Sequence, residues 1–472
     1  MTVRFRNTLG GALEDFEPLD PSNVRIYSCG PTVYAPAHVG NFRSFLFADL
    51  LRRYLAWRGY PVTWVMNITD VDDKIIRDAL ARGIPIGELT SRYAAAFLDD
   101  LRRLRITTPA VMPRATEHID EMVTLIETLL ERGHAYRTDD GSIFFRIASW
   151  PAYGRLARLD PAKQRVGERV ESDEYDKDDV RDFAVWKGAK PGEPSWSTRI
   201  GEGRPGWHIE CSAMSMRYLG PSFDLHTGGI DLIFPHHEDE IAQSEAATGQ
   251  PFVRTWLHCA HLQMSGRKMA KRVGNIARPA DLYAAGMPPR ALRYALISAH
   301  YRASLDFTDE SLAAAAAAVE RLSTLLAALD AYAEAKPDDA TLDALLAETQ
   351  ARFTAALDDD LNVAPALAAI FDLARELNRR MDARAISTAD ADRAAAFVRD
   401  LDRVLAVAEE DVAELEPDLL ERLEARATAR ATRDWAASDR LRDELAERGI
   451  AVEDTRDGQR WRRLTVVDDV RR

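Results

Sequence analysis

Apolar residues along the first part of the chain recur in two periods. Val24-Arg25-Ile26-Tyr27 is β-branched and aromatic and predicts a strand. Cys29-Gly30-Pro31 and a second proline at 36 break it, and Phe42, Phe45, Leu46, Leu50, Tyr54 and Trp57 then fall at spacings of three and four. That spacing predicts a helix with one apolar face, stopped at Gly59. Val62 to Ile68 predicts a second strand, so the opening reads as strand, helix, strand. Such a unit buries its strands on both faces and sets ligands at their carboxyl ends, where Cys29 and Thr69-Asp70 would both lie. Asp70-Val71-Asp72-Asp73-Lys74 opens a further amphipathic stretch, in which the acids either serve a site or simply complement a helix dipole.

Further along, Ile119, Met122, Ile126 and Leu129 give a helical face, and Ser142 to Ile147 a short strand. Between Asp160 and Ser197 apolar periodicity is lost, and Lys187 to Gly192 reads as a turn-rich loop in an inserted module with mobile surface segments. Order returns at Gly203 to Cys211. Phe223 to Gly229 predicts a strand ending in a glycine pair, Pro235 to Ile241 a helix start, and Trp256 to Gln263 a last strand. From about Pro279 the pattern is helical: 291–300, 311–332, 340–358, 365–381 and 389–408.

Composition narrows the class. The 472 residues are 46% apolar, which describes a folded chain of roughly two to four domains. The N-terminus lacks the apolar core of a signal peptide and no long uncharged apolar run appears, so a cytoplasmic protein without a membrane partner is expected. Three cysteines, Cys29, Cys211 and Cys259, are too few and scattered for a disulfide framework. The net charge of −14 argues against wholesale wrapping of nucleic acid, although acidic and basic residues nearly cancel towards the C-terminus.

Two stretches carry candidate chemistry. His38-Val39-Gly40-Asn41 sits where the first strand hands over to the helix, and helix N-termini favour anions; the same residues would also serve as an ordinary helix start. His236 and Glu240, four apart, share a helix face, and His237 with Glu240 fits nearly as well. With Cys29 and Cys211 aimed at the same sheet edge they compose a zinc-type donor set, against which stands a plain acidic helix start with a buried histidine and two inert thiols.

Taken together, Tyr27-Ser28-Cys29-Gly30-Pro31-Thr32-Val33-Tyr34, His38 to Asn41, Asn67 to Lys74, Gly206-Trp207-His208-Ile209-Glu210-Cys211, Gly228 to Glu240 and Lys268-Met269-Ala270-Lys271-Arg272 closely resemble the cysteinyl-tRNA synthetases, in order and separation. The resemblance extends through Tyr294 to Phe307, Asp358 to Asn362, Asp434-Trp435, Glu453-Asp454-Thr455 and Trp461. It implies an α/β class I synthetase: a split Rossmann-type parallel-sheet catalytic domain with a connective insertion, a helical bundle and a small C-terminal anticodon-binding piece. The corresponding divisions are 1–105 and 201–275 for the catalytic halves, 106–200 for the insertion, 276–312 for a stem-contact link, 313–408 for the tRNA-binding bundle and 409–472 for the anticodon piece.

The family's reaction would join L-cysteine to ATP as cysteinyl-adenylate and pass it to the terminal adenosine of tRNA(Cys). Carried over residue by residue, Cys29, Cys211, His236 and Glu240 would hold one Zn2+ per subunit, which resolves His236 against His237; Cys259 has no role in that pattern. His38, Asn41, Lys268 and Lys271 would act in catalysis; with Gly40, Gly228, Gly229 and Asp231 they would bind ATP, accompanied by Mg2+. Thr69 and Trp207 would line the cysteine pocket, Trp207 being otherwise a core aromatic. A soft thiolate binds zinc far better than a hydroxyl, so serine is rejected by binding alone, in keeping with the absence of any long editing insertion. The resemblance implies a monomer.

Two positions depart from the familiar signatures. Asn41 stands at the last position of His-x-Gly-His, and Lys268-Met269-Ala270-Lys271-Arg272 keeps both lysines of Lys-Met-Ser-Lys-Ser while losing both hydroxyls, so activity with altered loop behaviour is expected. The cysteine ligase of mycothiol synthesis uses the same adenylate chemistry on an amino sugar but lacks the long C-terminal region present here. A catalytically silent zinc protein that binds tRNA is the other alternative, opposed by retention of His38, both lysines and all four metal ligands.

Overall fold

A computed structural model describes residues 2–159, 181–264, 267–268, 276–408, 417–448, 450–455 and 458–463. Its centre is a four-stranded parallel sheet. β1 (Val24–Ser28) leads through α1 (Val39–Trp57) to β2 (Val62–Met66), which lies beside it with Ile26 opposite Trp64. α2 (Trp207–Leu219), β3 (Phe223–Gly229), α3 (Glu238–Thr248) and β4 (Val253–Cys259) complete it. β3 pairs with the free edge of β1, Leu225 opposite Ile26, and β4 pairs with β3, giving the order β4-β3-β1-β2. The chain therefore leaves β1 in opposite directions, and the crevice outside the carboxyl ends of β1 and β3 is where such sheets bind ligands.

Local chemistry explains why these segments take these forms. Val24, Ile26 and Tyr27 are buried, as a central parallel strand requires. α1 begins in a reciprocal cap: His38, with extended backbone, accepts at Nδ1 from the Asn41 N–H at 3.3 Å, while Asn41 Oδ1 accepts from the His38 N–H at 3.1 Å. Phe42, Leu46, Leu50, Tyr54 and Leu55 of α1 then enter the largest apolar core, which runs continuously from the sheet into the helices that follow.

Between the two halves of the parallel sheet lies a second unit, a helix (Ile119–Glu131) and a five-stranded antiparallel sheet ordered 135–137, 143–145, 183–188, 201–205, 196–198. This corrects the expectation for 181–197. Phe183–Gly188 is a fully buried strand, and Lys187 and Gly188 belong to it rather than to a loop. Six residues after a charged run carry no readable period, but 143–145 pairs along 183–186 and 201–205 along 186–188, and Phe183, Val185 and Trp186 enter an apolar core with Ile126 and Leu129. The charged stretch 160–180 lies outside the described residues.

After the sheet the chain is helical, with long helices at Asp309–Asp330, Leu342–Asp358, Val363–Asp382 and Thr388–Leu405. Asp309–Asp330 is long and apolar enough by composition to cross a membrane, although Glu320 and Arg321 interrupt its apolar run, and Leu312, Val319, Leu322, Leu325, Leu326 and Leu329 pack into the main core. This bundle is locked to the first half of the sheet domain through buried charge. Arg293, fully buried, donates to Asp49 Oδ2 of α1 at 2.6 Å and to the carbonyls of Leu405, Leu104 and Arg105. Three consecutive acids take different partners: Asp358 meets Tyr54 and Arg58, Asp359 meets Arg4, and Asp360 meets Tyr301 and Arg302. Two further helices, Pro417–Ala431 and Trp435–Glu447, pack with a hairpin of 450–455 and 458–463 around Leu419, Leu423, Leu445 and Ile450.

Candidate functional site

The ladder between β1 and β2 continues past their ends. Thr69 N–H donates to the Pro31 carbonyl at 3.0 Å and Val33 N–H to the Thr69 carbonyl at 3.1 Å, which sets Cys29 and Thr69 at one crevice. Gly30 has to be a glycine there, since a Cβ would fall 1.7 Å from the Asn67 carbonyl oxygen. α2 and α3 bring the remaining donors across from the other half of the domain.

Cys29 Sγ lies 3.7 Å from Cys211 Sγ and 3.5 Å from Glu240 Oε1, and His236 Nε2 lies 3.0 Å from the same oxygen. Tetrahedral zinc with ordinary bond lengths would separate two sulfurs by about 3.8 Å, a sulfur and an oxygen by about 3.5 Å, and a nitrogen and an oxygen by about 3.3 Å. The donor set fits that ion in spacing and in kind. A second set, Cys29, His226, His237 and Glu240, also brings its donor atoms within 4.8 Å of one another, so both histidines of the His236-His237 pair stand at the cluster. The two sets share Cys29 and Glu240. The helix begins later than expected, at Glu238, with Pro235 inside a preceding irregular turn, but His236 and Glu240 still meet one turn apart.

Burial makes this cluster electrically demanding. Burial, the Cys211 hydrogen bond and nearby negative charge push the Cys29 thiol well up, whereas its bond to Cys29 draws the Cys211 thiol down to about 6 against the opposing effect of burial. At His236 and Glu240 burial opposes charge and is outweighed by the partner: the imidazole rises to about 10 and the carboxyl, held also by His226, falls to about 2. Without a metal the cluster holds protons; a divalent cation would take their place.

Sequence reasoning missed the residues that orient these donors. His226 Nε2 lies 3.0 Å from Glu240 Oε2, leaving Oε1 to face Cys29 and His236. His236 Nδ1 is 2.8 Å from His208 Nδ1, and His208 Nε2 is 3.3 Å from Asp239 Oδ2, so a proton on His236 Nδ1 leaves its Nε2 lone pair towards the cluster. His237 is backed by His258 at 2.7 Å, and that ring by Thr8. Asn67 accepts the Gly30 N–H at Oδ1 and donates to Thr69, whose hydroxyl reaches Glu210 Oε2 at 3.0 Å. Burial pushes the Glu210 carboxyl well up, Cys211 adding to the effect and the Thr69 bond opposing it. The only sequence signal for these groups was their inclusion in long polar-rich strings, because each acts through a contact distant in sequence.

The other predicted residues fall as follows. Thr69 is buried beside the cluster, and Trp207, 37% exposed, stacks on His236 with centroids 4.3 Å apart, so it is no core aromatic. Gly228, next to last in β3, lies against His237, where a Cβ would stand 2.6 Å from the ring; Gly229 ends the strand, and Asp231 is exposed with Oδ1 4.0 Å from His261 Nδ1. Gly40 lies in the first turn of α1, between the capping residues His38 and Asn41. Arg43, on the same helix and 2% exposed, donates to the carbonyls of Ala260, His261 and Ala303, tying α1 to the exit of β4. Cys259 is buried in the core, its thiol pushed up to about 11 by burial. Lys268 is described only as backbone in a short strand, 267–268, paired with Leu262–Met264; Lys271, Ala270 and Arg272 lie outside the described residues.

Residues 15–317 match the class I (C) tRNA synthetase catalytic domain, 352–409 a DALR domain and 409–462 the cysteinyl-tRNA ligase anticodon binding domain. The chain is 47% identical to the cysteine–tRNA ligase of Solibacter usitatus, with 98% of this chain and 100% of that protein covered, and 45% identical to that of Symbiobacterium thermophilum at the same coverages. Among solved structures, Mycobacterium tuberculosis methionyl-tRNA synthetase in complex with methionyl-adenylate superposes with a TM-score of 0.59 at 18% identity, covering 88% of this chain and 96% of that one, a likeness of fold.

Proposed function

The chain belongs to the cysteine–tRNA ligases, a class I synthetase family, and on that premise we propose that it activates L-cysteine with ATP and transfers it to tRNA(Cys) through the crevice at the ends of β1 and β3. The observation that carries the reading is the buried donor cluster of Cys29, Cys211, His236 and Glu240 beside the capped start of α1. Those four residues would hold zinc, which supplies a soft Lewis acid that binds a thiolate in preference to a hydroxyl. The assignment to His236 rather than to the set with His226 and His237 is supported by the Cys29–Cys211 spacing and by His226 engaging the other Glu240 oxygen.

Activation requires the cysteine carboxylate to reach the α-phosphate of ATP while pyrophosphate leaves, a step that rests on positioning and charge neutralisation. Because His38 Nδ1 accepts from the Asn41 N–H, the neutral ring carries its proton on Nε2 and offers it as a donor to phosphate oxygen. Asn41 contributes through the cap, and the positive end of the α1 dipole adds to the attraction for the anion. Lys268 and Lys271 would neutralise the phosphates, with Mg2+ accompanying ATP; Gly228 and Gly229 admit the adenosine closely and Asp231 accepts from ribose hydroxyls. Trp207 covers the amino acid, and Thr69 meets its main-chain end. The reading includes a cytoplasmic monomer.

Zinc-replete protein is expected to catalyse cysteine-dependent ATP–pyrophosphate exchange and to charge tRNA(Cys). Exchange without tRNA charging, but with transfer to an amino sugar, would replace this reading by the mycothiol-type ligase, which the matched anticodon binding domain disfavours. Failure of exchange altogether would sink it.

A further inference from the structure

Glu210 is 1% exposed, sits in the first turn of α2, and has no lysine, arginine or histidine nitrogen within ion-pair distance among the described residues. The hydrogen-bond chain that ends on it has a fixed direction. A backbone N–H can only donate, so the Gly30 N–H, 2.9 Å from Asn67, makes that amide present its oxygen to Gly30 and its NH2 to Thr69. Thr69 Oγ1 therefore accepts from Asn67 at 3.1 Å, and an ionised Glu210, which can only accept, takes the hydroxyl proton at 3.0 Å. One lone pair on Thr69 remains for a ligand. In the first turn of α2 the helix dipole favours the charged Glu210 carboxylate; burial opposes that charge, which a cation bound beside it would offset.

We propose that Glu210 is a positioning and specificity residue for the α-ammonium group of the amino acid: it fixes the Thr69 hydroxyl as an acceptor and supplies the buried negative charge that the ammonium neutralises. The inference rests on the reading of Thr69 as a substrate contact. It assigns to the crevice two poles, a donor cluster that reads the thiol and an acceptor pair that reads the amine. The ammonium brings three donors and a full charge, which suits one remaining lone pair backed by a carboxylate.

The test pairs a residue change with a ligand change on zinc-loaded, full-length protein. By titration calorimetry, wild type should bind cysteine roughly ten- to a hundredfold more tightly than 3-mercaptopropionate, which keeps the thiol and carboxylate but lacks the amine. Glu210→Gln should lose most of that ratio, through weaker cysteine binding, while the affinity for 3-mercaptopropionate stays within about threefold and the zinc content is unchanged. Thr69→Val should collapse the ratio too, and Thr69→Ser should preserve it; the Thr69→Val change should cost little more when Glu210→Gln is already present. A ratio preserved in Glu210→Gln, or an equal loss for both ligands, overturns the proposal while leaving the ligase reading intact. Wild type that binds neither ligand overturns that reading and the proposal with it. Should Glu210→Gln not fold, the ratio in Thr69→Val decides.

Discussion

Replacing Asp49 by asparagine isolates the charge that fastens the helical bundle to α1. Asp49 and Arg293 are both fully buried, with Oδ2 to Nη2 at 2.6 Å, and the same carboxylate accepts from Arg53 at 2.8 Å and from the Thr107 N–H. At an effective dielectric of about 20, unit charges about 4 Å apart attract by about 4 kcal/mol, and removing one member of a buried pair characteristically costs about 3–5 kcal/mol, because the other charge stays behind. Arg293 keeps three carbonyl acceptors, which places the expected loss near the lower end, about 3 kcal/mol. Urea unfolding followed by tryptophan fluorescence should read that loss. The pH dependence has a defined sign. Burial opposes the Asp49 charge, but Arg293 and Arg53 outweigh it and hold the carboxyl below its usual range. Its contribution is therefore complete above the unfolded value near about 4 and is lost as pH falls through the lower folded value. The difference between wild type and Asp49→Asn should thus be constant from neutral pH down to about 5 and shrink below about 4. The double change Asp49→Leu with Arg293→Met should recover most of the stability. A single variant within about 1 kcal/mol of wild type, or a difference that grows in acid, would refute the account.

Cys211→Ser should lose zinc and cysteine affinity together, and unchanged zinc by elemental analysis would exclude Cys211 as a ligand. Lys271→Ala should slow ATP–pyrophosphate exchange roughly a hundredfold while sparing cysteine binding, and an unchanged exchange rate would remove its assigned role. Arg43→Met strands the carbonyls of Ala260, His261 and Ala303 at about 1–3 kcal/mol each, so stability should fall by about 3 kcal/mol or more. Exchange should also become slower at saturating cysteine, and thermal unfolding with an exchange assay would show both or contradict the assignment.

Much of this was legible in the order of residues. The β1–α1–β2 unit announced itself because its periods are local, and His236 with Glu240 because a helix places residues four apart on one face. Which histidine of the pair faces the thiols was not legible from spacing, since both lie on the same side of a turn that is not yet a helix. Asn67, Glu210, His208 and His226 escaped for another reason. Their meaning lies in partners supplied by other strands and helices, and a lone buried polar residue carries no period. The strand Phe183–Gly188 was hidden because its burial comes from neighbours on both sides rather than from alternation.

The pairing of β1 with β3 also bears on how the protein is made. On a ribosome, β1 and β2 emerge early, but Leu225, which lies opposite Ile26, is translated only after the whole intervening unit. Until then β1 presents an open apolar edge and Cys29 lacks the other three donors of its set. Any fragment that ends between β2 and β3 keeps that edge, so truncations there should aggregate, and a functional split of the gene must leave β1 and β3 in one polypeptide or supply them together. Translation thus finishes the thiol-reading centre late, and the nascent chain depends on protection of a single strand edge until its second neighbour arrives.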